Sequence, residues 1–420
     1  MDHFDYKAGV LHAEDVPLPE IADAVGTPVY VYSRATLTRH ARVFRDALKA
    51  RLPRVHIAFA VKANPNLAVL KVLASEGYGA DVVSGGEFER ALAAGIPAWD
   101  VVFSGVGKTT AELIRALEAG LGQFNLESEE EGHELADLAE ARGLTATCAL
   151  RVNPDIDAGT HAKISTGKAE NKFGAPYDRA ADMFARLAAR PGLAMRGLAA
   201  HIGSQITTLE PSRAAFTRMG ELMRTIRSQG LSLTHMDLGG GLGVPYKLGE
   251  QLPGPEEYAG VVAEVTADWD VTVMFEPGRV IVGNSGVLVT RVIRVKPGVT
   301  APFVVVDAAM NDLVRPAMYD AWHDFLAIRP TGEQAVANIV GPICESSDTF
   351  AMGRQVDTVR AGDLAVFRTA GAYGATMANT YNSRALVPEV MVDGSRWAVV
   401  AERIEPSTIL AAEHVPEWLD

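Results

Sequence analysis

The chain has 420 residues, more than one ordinary hydrophobic core organises and enough for two domains. Its 48% hydrophobic and 22% charged residues fit a soluble globular protein. The formal net charge of −13 argues against a nucleic-acid partner, because phosphate binding needs clustered Lys and Arg.

The opening MDHFDYKAGV lacks the basic start and apolar run of a secretory signal, and no window is apolar enough to span a bilayer. A cytoplasmic protein with no membrane contact is expected. The two cysteines, Cys148 and Cys344, are too few for a disulfide framework or a zinc site, and no metal is expected. Cys148 lies in the apolar run TATCALRV, where a small buried hydrophobe is the ordinary role, whereas Cys344 lies in GPICES among polar neighbours.

Nothing before Arg34 belongs to the alternating pattern that follows, although TPVYVYS reads as a strand. From Val55 to Glu276, short apolar runs alternate with amphipathic stretches. The runs are VHIAFAV, GADVVS, DVVFSG, QFNLES, TATCALRVN, MRGLAAHIG, THMDLGG and VTVMFEP. Between most of them, stretches such as EFERALAAG, TAELIRALEAG and SRAAFTRMGELMRTIRSQG repeat apolar residues at three- and four-residue spacing, as helices packed on a sheet do. Eight such units predict an α/β protein built on a (β/α)8 TIM-like barrel, with an open doubly wound sheet as the competing architecture. The polar connection from Asp155 to Pro176 is long enough to expect a functional loop.

After Arg279 the pattern changes. VIVGNSGVLVTRVIRVK, PFVVVDAAM, DLAVFRTAGAY and RWAVVAERI read as strands, and one helix is expected around MYDAWHDFLAI. The expected organisation is a barrel over 34–280 and a mostly β domain over 281–420, joined by residues 1–33, with TPVYVYS its strand.

Reactive residues fall where barrel active sites form, at the carboxyl ends of strands. Lys62 ends the first run. It is either a strand-end lysine reaching solvent or a desolvated amine of lowered pKa able to form a Schiff base. His201 follows the sixth run and reads as a core histidine or as a ring stacked on a planar cofactor. Gly239–Gly243, after the seventh run, is a tight turn or a phosphate cradle. Glu276, ending the eighth, is half of a salt bridge to Arg279 or a carboxylate that keeps a pyridine nitrogen protonated. An aldehyde-reactive lysine, a phosphate cradle and a pyridinium partner are together what pyridoxal phosphate requires.

The strings AVKANPN, GADVVSGGE, HIGSQ, DLGGGLG, EPGR, MNDLVRPAMYDAWH, GPICESSDTF and GAYGATMANTYNSR resemble the fold-type III (alanine-racemase-like) pyridoxal-phosphate decarboxylases, and within them the diaminopimelate decarboxylase family. The resemblance implies a barrel with a C-terminal β domain, in a homodimer whose active sites are shared between subunits. By the same resemblance, Lys62 carries the cofactor, and Asp81, Ser84, His201, Ser204, Gly239, Gly240, Gly241, Glu276, Gly278, Arg279 and Tyr373 contact it. Arg279, Arg315, Tyr319, Glu345 and Tyr373 are the implied substrate set, with Cys344 the proton donor supplied by the partner subunit. The implied reaction is decarboxylation of meso-2,6-diaminopimelate to L-lysine. An arginine suits the carboxylate and a glutamate the ammonium at the substrate's non-reacting end. The alternatives are a decarboxylase of ornithine, arginine or carboxynorspermidine, a racemase of the same fold type, or a non-catalytic pyridoxal-phosphate carrier. Two positions depart from the family pattern, Asn171 before Lys-Phe-Gly and Ala385 after YNSR.

Overall fold

The eight apolar runs form strands buried along most of their length, as strands covered on both faces must be. They are β1 (Val55–Ala60), β2 (Gly79–Val82), β3 (Val101–Phe103), β4 (Gln123–Leu126), β5 (Ala146–Asn153), β6 (Leu193–Ala199), β7 (His235–Asp237) and β8 (Thr272–Phe275). Each pairs in parallel with the next, and β8 returns to β1 through Val273 and Val55, so the ring is closed. Closure excludes the open doubly wound sheet. The structure, a computed structural model, describes residues 2–157 and 172–419. The expected functional loop falls largely, and Asn171 wholly, outside the described residues.

The chain divides into two units. The barrel unit comprises Thr38–Val244 and Gln251–Ile281, and the second comprises Met1–Leu37, Pro245–Glu250 and Val282–Asp420. In the barrel unit, helices follow the strands and bury one stripe each. Glu210–Ser228 buries Ala215, Phe216, Met219, Leu222, Met223 and Ile226, the three- and four-residue spacing seen in the sequence. Three helices start on a hydroxyl cap, Ser84, Thr109 and Ser128, each accepting from a backbone N–H three residues on. Such a cap contributes about 1 kcal/mol and fixes where each strand-end loop stops. Cys148 lies wholly buried in β5, and burial pushes its thiol far above the ordinary range.

The second unit is built on a sheet running, from one edge, through Thr349–Asp357, Gln334–Val340, Phe303–Val306, Gly286–Lys296, Val29–Ser33, Glu389–Asp393 and Arg396–Ala401. TPVYVYS therefore supplies an interior strand, flanked by Gly286–Lys296 and Glu389–Asp393. Two expectations are corrected. VIVGNS is not strand: Arg279–Val282 is α-helical and Gly283–Ser285 a 3-10 turn, and the strand begins at Gly286. A short apolar run carries no period that separates strand from buried helix. The helix around MYDAWHDFLAI is only Arg315–Tyr319; Asp320 adopts a left-handed conformation that ends it, and Phe325–Ala327 is a strand pairing with Leu364–Phe367. Its antiparallel pairing decides the latter, with Phe325 and Ala327 turned inward.

In this unit Asp312 lies buried, with Ala309 N–H donating to its Oδ2 at 2.8 Å. Burial raises its pKa from 3.8 to about 7. Between those values the folded state keeps a proton that the unfolded state has released, so this group lowers stability as pH rises through the window. Asp312→Asn should therefore gain melting temperature on the parent on going from about pH 5 to about pH 8. Melting curves that stay equally separated at both values would contradict this.

Candidate active site

Lys62 sits in the 3-10 turn Val61–Ala63 that follows β1. Its Nζ lies 3.0 Å from Oδ2 of Asp81, which is fully buried in β2, while the lysine side chain is 38% exposed. The site thus pairs this amine with a carboxylate and leaves it partly exposed, nearer to the first of the two sequence readings, a lysine reaching solvent, than to the second, a desolvated amine. Among the described residues, the other oxygen, Asp81 Oδ1, is buried with no hydrogen-bond partner.

Glu276 follows β8 and is 9% exposed. Its Oε1 accepts from Ser104 Oγ at 3.3 Å and Asn125 Nδ2 at 3.2 Å. Its side chain also hydrogen-bonds Asp237 at the end of β7. Asp237 in turn accepts from the Gly239 N–H at 2.8 Å and from Asn125 Nδ2 at 3.4 Å. Burial pushes both carboxyls up, Glu276 well above the usual carboxylate range, with Asp237 and Asp81 adding to its shift. Two carboxyls in one hydrogen bond must hold a proton between them. The backbone donor at Asp237 favours the anion there, so the proton rests on Glu276.

His201 follows β6 and accepts from Gly240 N–H through Nδ1 at 3.2 Å. Burial, then the positive charges of Lys62 and Arg151, hold it well below the usual histidine range. It is a neutral ring protonated on Nε2. Gly239 and Gly241 have φ of +65° and +112°. A Cβ at Gly240 would lie 2.2 Å from the Glu276 carbonyl oxygen, and one at Gly241 2.5 Å from that of Gly203. Only glycine fits this turn. Arg279 Nη2 donates to Ser204 Oγ at 3.1 Å, and the Gly278 carbonyl accepts from Ile281 N–H. Ser84 spends its hydroxyl on the Glu87 N–H as a helix cap.

The rim of the barrel therefore brings Lys62, Asp81, His201, Ser204, Gly239–Gly241, Glu276 and Arg279 together. Sequence reading passed over Asp237, Asn125 and Ser104, although each stands as a polar residue inside an apolar run, a visible signal. It also passed over Glu127, which accepts from Arg151 Nη1 at 2.7 Å and from the Gly105 and Gly174 N–H groups, tying three rim segments together.

The remaining candidates belong to the second unit. Cys344 is exposed. Glu345 hydrogen-bonds Ser347 Oγ and raises the Tyr381 phenol through a further hydrogen bond. Arg315 and Tyr319 open and close one short helix. Tyr373 has φ of +55°, between Gly371 and Gly374, where a Cβ would meet the carbonyls of Val282 and Ala370. A tyrosine held there is a strained position of the kind found at functional sites. Among the described residues, no group of three or more His, Cys, Asp or Glu is placed to hold a metal.

The barrel residues fit pyridoxal phosphate on their own geometry. An amine faces a buried carboxylate with an unsatisfied oxygen, a turn admits no side chain, and a proton is stored on a buried glutamate. Comparison with known proteins agrees. The description "Pyridoxal-dependent decarboxylase, pyridoxal binding domain" matches residues 34–283. The chain is 50% identical to diaminopimelate decarboxylase of Zymomonas mobilis over 418 residues, 99% of each chain, and 47% identical to that of Vibrio cholerae, again over 99% of each. The crystal structure of diaminopimelate decarboxylase from M. jannaschii in co-complex with L-lysine superposes with a TM-score of 0.95 at 33% identity, covering 100% of this chain and 99% of that one. Full-length identity at this level, with the pyridoxal-binding match over more than half of its residues, shows that the chain belongs to the pyridoxal-dependent decarboxylases and, within them, to the diaminopimelate decarboxylase family.

Proposed function

We propose that this chain decarboxylates meso-2,6-diaminopimelate to L-lysine and CO2 with pyridoxal phosphate, as the last step of lysine formation. The observation that carries the chemistry is the rim arrangement in which the Lys62 amine and the protonated Glu276 share the field of buried Asp81. The names of the full-length relatives support the substrate.

Bound pyridoxal phosphate supplies an electron-accepting ring for the negative charge left on the carbon that loses CO2. Lys62 is the attachment point, with Asp81 holding its Nζ before loading. Glu276 Oε presents a proton to the ring nitrogen, and Asp237 keeps that carboxyl in place. The neutral His201 offers a flat face without adding charge to the site. The Gly239–Gly241 backbone and Ser204 would receive the phosphate, with Ser84 and Gly278 beside the cofactor. Cys344 Sγ returns a proton to the carbon after CO2 leaves, and Tyr373 reaches both cofactor and substrate. Arg279, Arg315 and Tyr319 receive the distal carboxylate of the substrate and Glu345 its distal ammonium. Ornithine and arginine lack that carboxylate, so the pairing of Arg315 with Glu345 disfavours them.

We take residues 34–280 as the cofactor-binding domain, apart from Pro245–Glu250, which belongs to the second unit, and 281–420, with 1–33, as the second domain. The reading includes a homodimer in the cytoplasm whose sites each use Cys344 of the partner subunit. No helix among the described residues is long and apolar enough to cross a membrane.

Borohydride reduction of the loaded protein should leave the cofactor on the peptide containing Lys62, and Lys62→Ala should lose about a thousandfold or more in activity. An adduct on another lysine overturns the assignment. Carbon dioxide release from meso-diaminopimelate should far exceed that from lysine, ornithine or arginine; comparable release from ornithine removes the case for Arg315 and Glu345 as selectors. Equal mixing of Lys62→Ala and Cys344→Ala dimers should restore about a quarter of parental activity, because half the dimers are mixed and each carries one intact site. No recovery after confirmed subunit exchange rules out shared sites.

A further inference from the structure

We infer that His323 is a positioning residue for Arg315, holding its guanidinium in one orientation against the face of Tyr246 so that the substrate's distal carboxylate meets a pre-aimed cation. The inference rests on Arg315 being the group that receives that carboxylate.

The three side chains form a buried assembly within the second unit. Arg315, His323 and Tyr246 are 5%, 1% and 7% exposed. Arg315 Nη1 lies 2.9 Å from His323 Nε2, and His323 Nδ1 lies 2.8 Å from the Arg368 carbonyl oxygen. These partners fix the protonation of the ring. A carbonyl only accepts, so Nδ1 carries the hydrogen; a guanidinium only donates, so Nε2 is bare. His323 is therefore neutral and bonds Arg315 without repelling it. The guanidinium carbon stands 4.5 Å from the centroid of Tyr246, within the range of a cation over an aromatic face. Tyr246 also meets the His323 ring edge-on at 5.2 Å and 81°. One ring thus supports both members of the hydrogen bond.

Local structure brings them together. Arg315 opens the five-residue helix, Asp320 ends it in the left-handed conformation, and the chain turns back so that His323 faces the residue eight places earlier. The His323 carbonyl is itself held by Arg354 Nη1 at 2.7 Å. An arginine side chain otherwise loses much rotamer freedom when it grips a ligand. Freezing it beforehand removes that cost from substrate binding. Neither of these two partners is a carboxylate, so neither neutralises the guanidinium that it holds.

The test uses the pyridoxal-phosphate-loaded enzyme with meso-diaminopimelate, comparing His323→Met, His323→Gln and Arg315→Lys, alone and with Met and Lys changes combined. His323→Met keeps bulk but loses the hydrogen bonds, and should raise KM about tenfold with kcat within about twofold. Cofactor absorbance should be unchanged. His323→Gln can accept from Arg315 and donate to the Arg368 carbonyl, and should keep KM within about threefold of the parent. In an Arg315→Lys background, His323→Met should add no further rise. An unchanged KM in Arg315→Lys alone refutes the substrate reading, and this inference with it. A raised KM there, with an unchanged KM in His323→Met or with independent multiplying effects in the double variant, refutes only the positioning role. Should His323→Met fail to fold, Tyr246→Leu decides: it removes the aromatic face from the same guanidinium, and an unchanged KM refutes the role.

Discussion

Two carboxyl groups sealed side by side in protein cannot both be charged, and that constraint organises the barrel mouth. Asp237 and Glu276 share one hydrogen bond inside a shell closed by Asn125 and Ser104. The backbone N–H of Gly239 settles which of them keeps the negative charge. Asp237 Oδ1 also anchors the start of the glycine turn, so the proton store and the turn are fixed by one side chain. An isolated surface glutamate would have released its proton well below neutral pH, whereas burial and the neighbouring carboxyls push Glu276 well above that range.

The positive charges around this mouth are arranged in the opposite sense. Lys62 faces a carboxylate, Arg151 faces Glu127, and His201 between them stays neutral because burial and both cations oppose its charging. Loss of the Lys62 or the Arg151 charge would therefore ease the charging of His201.

The barrel was readable from the chain because its strands are buried on both faces. Burial demands continuous apolar runs, and all eight runs became strands. Lys62, His201, Glu276 and the glycines were readable because each stands at the end of such a run. Other features carried weaker marks. Gln334–Val340 and Thr349–Asp357 are strands with several exposed positions, so polar residues interrupt their pattern. Phe325–Ala327 is too short to show a period. Asp237, Asn125 and Ser104 stood in plain view inside apolar runs, but their meaning depends on a contact among three strands that no local pattern encodes. The roles of His323 and Tyr246 depend likewise on a turn at Asp320 and on the short segment Pro245–Glu250, which leaves the barrel's stretch of sequence to join the other unit.

That segment, and the strand Val29–Ser33, give the chain an interleaved order of assembly. Tyr32 is made early in synthesis but pairs with Gly286, after every barrel strand has emerged. Pairings so distant in sequence close slowly, and the early strand must meanwhile stay out of wrong partnerships. Neither unit is a continuous stretch of chain, so no single cut yields both whole. A gene split at the apparent border would leave the second unit without an inner strand of its sheet and without the tyrosine beneath Arg315.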